Sequence, residues 1–251
     1  MKYVKLVNSK KEEKVLNKFF SLEELESQKE IKYQNIINKD GGEQQGSDFA
    51  ERPVVMTGVI INRNLEQLQQ EVDELYKFLQ HEPVHIYPDS EKDRYISCVL
   101  QNDLQNKNTR GWVQFEFEFI APDPFFYSSG KVRSEVIETL AEDFVVNNQG
   151  SIAVEPVITL TFNDVISNPV IENLNTGHEI ILNEDFANDD VVVIDCQRMT
   201  VTLNDNNALS LVNDGFLLDG FELQAGENGI EVRMENNSDL VVEIAYKNKW
   251  I

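Results

Sequence analysis

The sequence predicts a mainly β protein of two domains. The first is α+β, with one main helix on a β-sheet, and the second is an antiparallel β-sandwich. Three observations carry this reading. Trp112 to Ile120 alternates strictly: Val113, Phe115, Phe117 and Phe119 face one way and Gln114, Glu116 and Glu118 the other, the pattern of a strand with one buried face. A sustained helical period occurs in one place, from Leu65 to about His81. From Ile152 onward, short β-branched runs recur between Asn, Asp and Gly turn signals about every ten residues, as in an antiparallel sandwich.

The elements follow in chain order. Met1 to Val7 is expected to be an edge strand. Ser21, three residues before Glu24, has the form of a capping box opening a short helix over Ser21 to Lys29. Lys39 to Ser47 (KDGGEQQGS) is polar and Gly-rich and is expected to be a mobile loop. Val54 to Asn62 is β-branched and strand-like. Asn64 can cap the helix, whose apolar stripe is Leu65, Leu68, Val72, Leu75 and Leu79 beside Tyr76. Pro83 ends it. Val84 to Tyr87 and Tyr95 to Leu100 read as strands around a polar turn, before the alternating strand. Two prolines in Ala121-Pro122-Asp123-Pro124 and the flexible Ser128-Ser129-Gly130 then mark a shift in composition. The boundary is placed near Gly130 to Glu138, dividing the chain into 1–130 and 131–251. The sandwich strands are Ile152 to Phe162, Val170 to Leu174, Glu179 to Leu182, Val191 to Cys196, Thr200 to Leu203, Gly229 to Met234 and Leu240 to Tyr246.

Composition narrows the function. The 251 residues leave room for two modest domains, and 41% hydrophobic residues supply real cores. The net charge of −22, from 44 acids against 22 Lys and Arg, repels phosphate backbones and anionic lipid. With no basic cluster beyond the N-terminal segment, neither nucleic acid nor a membrane is an expected partner. No stretch approaches the ~18 apolar residues that a span requires. The basic start MKYVKLVNSKKEEK has no apolar segment behind it and does not read as a secretory signal. Cys98 and Cys196 each sit in an apolar run, with no metal-ligand spacing. They are expected to be buried, reduced and inert, which suits a reducing cytoplasm.

Catalytic motifs fail on physical grounds. His81-Glu82-Pro83-Val84-His85 fits the H-E-x-x-H pattern, which needs both imidazoles on one helical face. Pro83 breaks that helix and drives Glu82 out of the helical region. Paired carboxylates are inevitable among 44 acids and carry no glycosidase signal by themselves. No nucleophile elbow, P-loop or dinucleotide fingerprint is present. The expectation is a protein that is not an enzyme, with no catalytic, metal or cofactor-binding residues and no cofactor. Asn236-Asn237-Ser238 matches a glycosylation acceptor, a pattern common by chance. A stand-alone carbohydrate-binding β-sandwich is the alternative, since the second domain is rich in Asn and Asp. Its aromatics Phe162, Phe186, Phe216, Phe221 and Tyr246, however, read better as core than as stacking platforms.

Longer runs resemble a known family. The strand–helix–strand stretch from Val55 to Leu100, followed by WVQFEFEFIAPDPFFYS (Trp112 to Ser128), resembles the N-terminal domain of phage distal tail proteins, the tail-tip hub components of siphophages. Asp123-Pro124-Phe125-Phe126-Tyr127 stands where that family leaves its domain. NLNTGHEIIL (Asn173 to Leu182), VVIDCQRMTVTLN (Val192 to Asn204), GFELQAGENGIEV (Gly220 to Val232) and the closing VVEIAYKNKWI are similar to successive elements of its second domain. The likeness runs over residues 50–251.

The resemblance implies a structural hub. Six copies form a homo-hexameric ring at the distal end of a long-tailed phage tail, in phages of Gram-positive hosts. Residues 1–130 make the ring. Residues 131–251 form a galectin-like sandwich that holds the adsorption apparatus. The implied partners are further copies of the chain, the tail tube protein, a tail-associated or tail-fibre hub protein and a receptor-binding protein. The implied location is the virion tail tip, after assembly in the host cytoplasm. Head-to-tail ring contacts need sheet edges or amphipathic strands. The residues nominated for them are Val113, Phe115 and Phe117 on the alternating strand and Gly41, Gly42 and Gly46 in the Gly-rich loop. Glu116 and Glu118 are expected to give the ring a negative inner surface that passing DNA does not stick to.

Overall fold

The alternating strand finds ladders on both sides, and the first half of the protein is built around it. The structure, a computed structural model, describes residues 3–24, 29–35, 42–90, 92–108, 111–212, 218–236 and 239–251. It divides into two units, Met1–Tyr127 with Ile251 and Ser128–Trp250.

Unit one contains β1 (Lys5–Val7), β2 (Glu13–Val15), β3 (Ser21–Glu24), β4 (Lys29–Asn35), β5 (Gly42–Phe49), β6 (Arg52–Ile61), α1 (Leu65–Leu79), β7 (Val84–Tyr87), β8 (Ile96–Asn108), β9 (Trp112–Ala121) and β10 (Phe126–Tyr127). Seven strands form one sheet in the order β2-β1-β7-β8-β9-β6-β3. Along the β6–β9 ladder, Ile60 faces Val113, Gly58 faces Phe115, Met56 faces Phe117 and Val54 faces Phe119. All eight residues are buried on one face of the sheet. The rings of Phe115 and Phe117 stack at 5.3 Å, and Tyr76 of α1 meets Phe117 edge-on at 5.9 Å.

α1 starts at Asn64, whose side chain accepts the backbone N–H groups of Glu66 and Gln67. Its buried residues are Leu68, Val72, Leu75, Phe78 and Leu79. Leu65, expected in the stripe, is 57% exposed because it lies in the first turn, ahead of the covered residues. Phe20 also closes over this face. A Cβ on Gly58 would lie 2.1 Å from its Cδ1, so only a glycine admits the ring there.

Three expectations for the first 50 residues are corrected. β1 is not an edge, because it pairs with β2 on one side and β7 on the other. Ser21 does not open a helix: Ser21 to Glu24 pair with Thr57 to Val54, and the Ser21 and Thr57 hydroxyls are 2.8 Å apart. The free edge of β6 offered a ladder, and long-range pairing overrode a local capping signal. Gly42 to Ser47 is not a loop either. It lies in β5, which pairs with β4 through a register shift at Lys32/Tyr33. Glycine weakens a strand without forbidding one when a full partner ladder is present. Residues 39–41, the rest of that segment, lie outside the described residues. β8 extends beyond Leu100 through a polar run of poor β-propensity, because β9 supplies partners as far as Trp112.

Unit two contains β11 (Lys131–Ile137), β12 (Ala141–Asn148), β13 (Val157–Phe162), β14 (Ile166–Ser167), β15 (Val170–Asn173), β16 (His178–Ile181), β17 (Asp185–Phe186), β18 (Val191–Asp195), β19 (Thr200–Leu203), β20 (Asn206–Asn207), β21 (Gly226–Arg233), β22 (Leu240–Tyr246) and β23 (Lys249–Trp250). A six-stranded sheet, β11-β22-β13-β18-β19-β20, and a four-stranded sheet, β12-β21-β15-β16, bury their inner residues in one cluster. This is the antiparallel sandwich that the turn spacing predicts. Phe162 and Phe186 stack within it at 4.3 Å. Asn204 and Asp205, both at positive φ, make the two-residue turn between β19 and β20. β11 and β12 carry no apolar run and escape the sequence reading. Ser128, expected to be flexible, is buried and tied down: its hydroxyl donates to the Ser129 carbonyl at 2.8 Å and accepts the Asn248 N–H at 3.2 Å.

Phe117→Ala is expected to destabilise the first unit by about 3–5 kcal/mol. Gly58→Ala, which displaces the Phe20 ring, is expected to destabilise it by about 1–3 kcal/mol. Thermal and urea denaturation of the two variants measures both.

Candidate functional site

Among the described residues, groups able to do chemistry are dispersed or buried. The H-E-x-x-H residues come apart. α1 ends before His81, whose Nε2 lies 2.9 Å from Lys10 Nζ. Glu82 accepts the Leu100 N–H at 2.7 Å, and the His85 ring stacks on Tyr95 at 4.4 Å. Among the described residues, no three His, Cys, Asp or Glu side chains gather as a metal site would require. Cys98 and Cys196 are free and buried, and burial pushes each thiol up to about 12.

The residues nominated for assembly separate into two groups. Val113, Phe115 and Phe117 are at most 5% exposed and pack within the core of unit one. β9 is also paired on both edges. Their side chains are withdrawn from any partner, and what β9 offers outward is Gln114, Glu116 and Glu118. These continue across the ladder to Val59, Thr57 and Val55 of β6. Asn102 of β8 donates to Glu118 at 3.3 Å, and exposed Leu104 lies across from Glu116. The open face of the sheet is therefore acidic with scattered apolar groups.

Gly42 and Gly46 belong to β5, and Gly41 lies outside the described residues. β4 and β5 form a two-stranded ribbon absent from the seven-stranded order, so among the described residues its outer edges carry no strand. At its base Phe49 meets Phe125 edge-on at 5.2 Å, with Lys29 Nζ 5.9 Å from the Phe49 ring. Unpaired edges of this kind are templates for another chain. The Gly-rich composition pointed to this segment but hid its strand character.

The two outer faces of the sandwich differ in charge. On the four-stranded sheet, Arg233 binds Glu172 and Glu231 in short contacts and Glu179 at 3.0 Å. The hydrogen bond with Glu172, then that with Glu231, raises its guanidinium above the ordinary range. Asp143 and Glu227 extend this acidic face. On the six-stranded sheet the outward positions are mostly Val, Thr and Ala, as in the row Val132, Ala245 and Val157 and the row Val136, Val241 and Thr161.

Three of the Asn residues in the second domain do structural work. Asn148, Asn173 and Asn228 are fully buried. Asn148 donates to the carbonyls of Ile152 and Leu223 at 2.8 and 3.0 Å. Asn173 donates to the Glu222 carbonyl at 2.7 Å, and Asn228 donates to Gln224 and Gly226 and accepts from Gln224 N–H. Each buried amide ties loop backbone to the sandwich through its hydrogen bonds. Phe162, Phe186 and Phe221 are buried; Phe216 lies outside the described residues.

Among the described residues, two β-rich units with buried thiols leave strand edges and sheet faces open to contacts with other chains. Residues 8–121 match the phage tail protein RIFT-related domain family, and residues 149–250 match the siphovirus-type tail component, C-terminal domain family. The chain belongs to the siphovirus-type phage tail components, and among them it is a phage distal tail protein. Its fold is similar to that of the Dit (gp 19.1) protein of SPP1, described as a paradigm of the hub adsorption apparatus in Gram-positive infecting phages. The TM-score is 0.71 at 13% identity, over 97% of this chain and 98% of that one. Chains of the phage P2 baseplate in its activated conformation, with Ca and with Sr, align over 100% of both chains at 10% identity. Their TM-scores of 0.47 and 0.48 are too low to carry an argument. No curated protein matches the sequence.

Asn228→Ala, which removes the hydrogen bonds that a fully buried side chain makes to the Gln224 and Gly226 backbone, is expected to cost about 1–3 kcal/mol in thermal denaturation. The thiols give a pH signature. Each folded pKa is raised from 9.0 to about 12, so the unfolded chain loses its thiol protons first. The thiol contribution to stability is intact below pH 9 and falls as pH rises from there toward 12. The Cys98→Ala, Cys196→Ala double variant is expected to lose melting temperature less steeply across that window. Neither thiol of the native protein is expected to react with an aromatic disulfide reagent until the chain unfolds.

Proposed function

We propose that this protein is a non-catalytic hub subunit that forms a hexameric ring at the distal end of the tail, joining the tail tube to the adsorption apparatus. The observation that carries the reading is the match of both units, in order and over nearly the whole chain, to tail-component families and to the fold of a hub protein. Residues 1–130 supply the ring and residues 131–251, as a galectin-like sandwich, the outward attachment. Its partners are neighbouring copies, the tail tube protein, a tail-associated or tail-fibre hub protein and a receptor-binding protein. Assembly takes place in the host cytoplasm, before the protein takes its place at the virion tail tip.

The physical features of unit one support this. Among the described residues the β4–β5 ribbon has strand edges open to the head-to-tail addition that a closed ring of one subunit type requires. Ring contacts run through this ribbon and the open face of the sheet. Glu116 and Glu118, on that face, suit a lumen wall that repels DNA. Negative-stain electron microscopy and light scattering of the purified protein, alone and with tail tube protein, are expected to give a six-lobed ring. Monomer under every condition overturns the reading. Replacing residues 30–48 by a short Gly-Ser linker is expected to abolish the ring while leaving the melting transition of unit two in place.

A further inference from the structure

An edge strand normally protects itself with charges or a proline that discourage pairing with another chain. β11 does not. It is the terminal strand of the six-stranded sheet, paired to β22 on one side, and among the described residues no strand lies on its other side. It is exposed on both faces from Lys131 to Ser134, with Val132 65% and Val136 50% exposed.

Its sequence, KVRSEVI, is complementary to itself when reversed. In an antiparallel pair of two β11 strands centred on Ser134, Arg133 of one copy lies opposite Glu135 of the other, and Glu135 opposite Arg133. Val132 and Val136 meet in the same reciprocal way on the other face. Directly opposed residues are the ones that interact across a ladder, and opposite charges and β-branched pairs there are favourable. In the single chain Arg133 and Glu135 pair with each other along the strand, so no charge has to be stripped of a counterpart to form the new contacts. The Val row of β11 also continues into the Val, Thr and Ala rows of the sheet, where Glu243 and Asp195 are the charged positions. Two copies, each at net charge −22, therefore meet along a strand that carries two cations, Lys131 and Arg133, and one acid, Glu135.

We propose that β11 is a self-association edge. A second copy of this chain adds to it antiparallel about a two-fold axis, and the two six-stranded sheets become one. This contact is isologous, and it differs from any head-to-tail contact made through unit one. It doubles the mass of whatever species unit one forms, a ring or a single chain, so it stands or falls independently of the ring.

Sedimentation equilibrium of the full chain measures it. The wild type is expected to show a reversible doubling of mass with rising concentration. Arg133→Glu places Glu opposite Glu135 at both ends of the pair, and Glu135→Arg places Arg opposite Arg133; each is expected to weaken doubling at least tenfold. The double variant Arg133→Glu, Glu135→Arg restores opposite charges and is expected to regain most of the wild-type affinity. Ser134 faces its own copy across the axis, so Ser134→Cys is expected to yield a covalent dimer on mild oxidation, with buried Cys98 and Cys196 silent. Three results overturn the proposal: a wild type that never doubles, a double variant as weak as the single ones, or an oxidised Ser134→Cys that stays unlinked. Circular dichroism of each variant confirms that the sandwich is folded.

Discussion

The structure of unit one depends on β9 being paired along both edges while one of its faces is covered. A strand with four phenylalanine or valine side chains on one side cannot stand alone in water. Burial of Phe115, Phe117 and Phe119 requires a lid, which α1 and Phe20 provide, and the glycine at 58 lets that lid come close. Backbone pairing to β6 and β8 then satisfies the strand's N–H and carbonyl groups. Once both demands are met, β9 has no edge and no apolar face left over. Contacts with other chains fall to the elements that the pairing leaves open.

Charge follows the same division of labour. A net charge of −22 has to be spread over surface, and in unit one part of it lies on the open side of the sheet at Glu116 and Glu118. In unit two the acids gather on the four-stranded sheet, where Arg233 neutralises part of the load among Glu172, Glu179 and Glu231. The six-stranded sheet is left with Val and Thr on its outer rows. A tail protein must adhere to chosen neighbours and stay free of others. Placing repulsion on some faces and neutrality on others meets both needs with one sequence.

Much of the architecture was legible because the signals are periodic. The helix from Leu65, its Asn64 cap, β9 and its buried side, β19 and β22 followed from spacing and capping chemistry. The two buried thiols followed from their apolar neighbours. What misled were signals of one or two residues. Ser21 and Glu24 satisfied a helix cap on paper and became a strand, because β6 had an empty edge. The glycines at 42 and 46 suggested a loop and became a strand, because β4 had a ladder to offer. The assembly residues were half legible for the same reason. Period two marks Val113, Phe115 and Phe117 as one face, but it cannot say whether that face meets a helix of the same chain or a neighbour.

By itself, then, the sequence determined the class of each half, the direction each alternating side chain takes along its strand, and the net acidity of the chain. These are local properties, set by dihedral preference, side-chain period and formal charge. Tertiary structure alone decided which faces and edges stay open: that α1 closes over β9, that β4 and β5 pair apart from the main sheet, that three asparagines are spent on loop backbone, and that β11 ends its sheet uncovered. Those outcomes depend on which segments, remote in the chain, reach each other first with unpaired backbone and uncovered apolar area, and no local window contains that information.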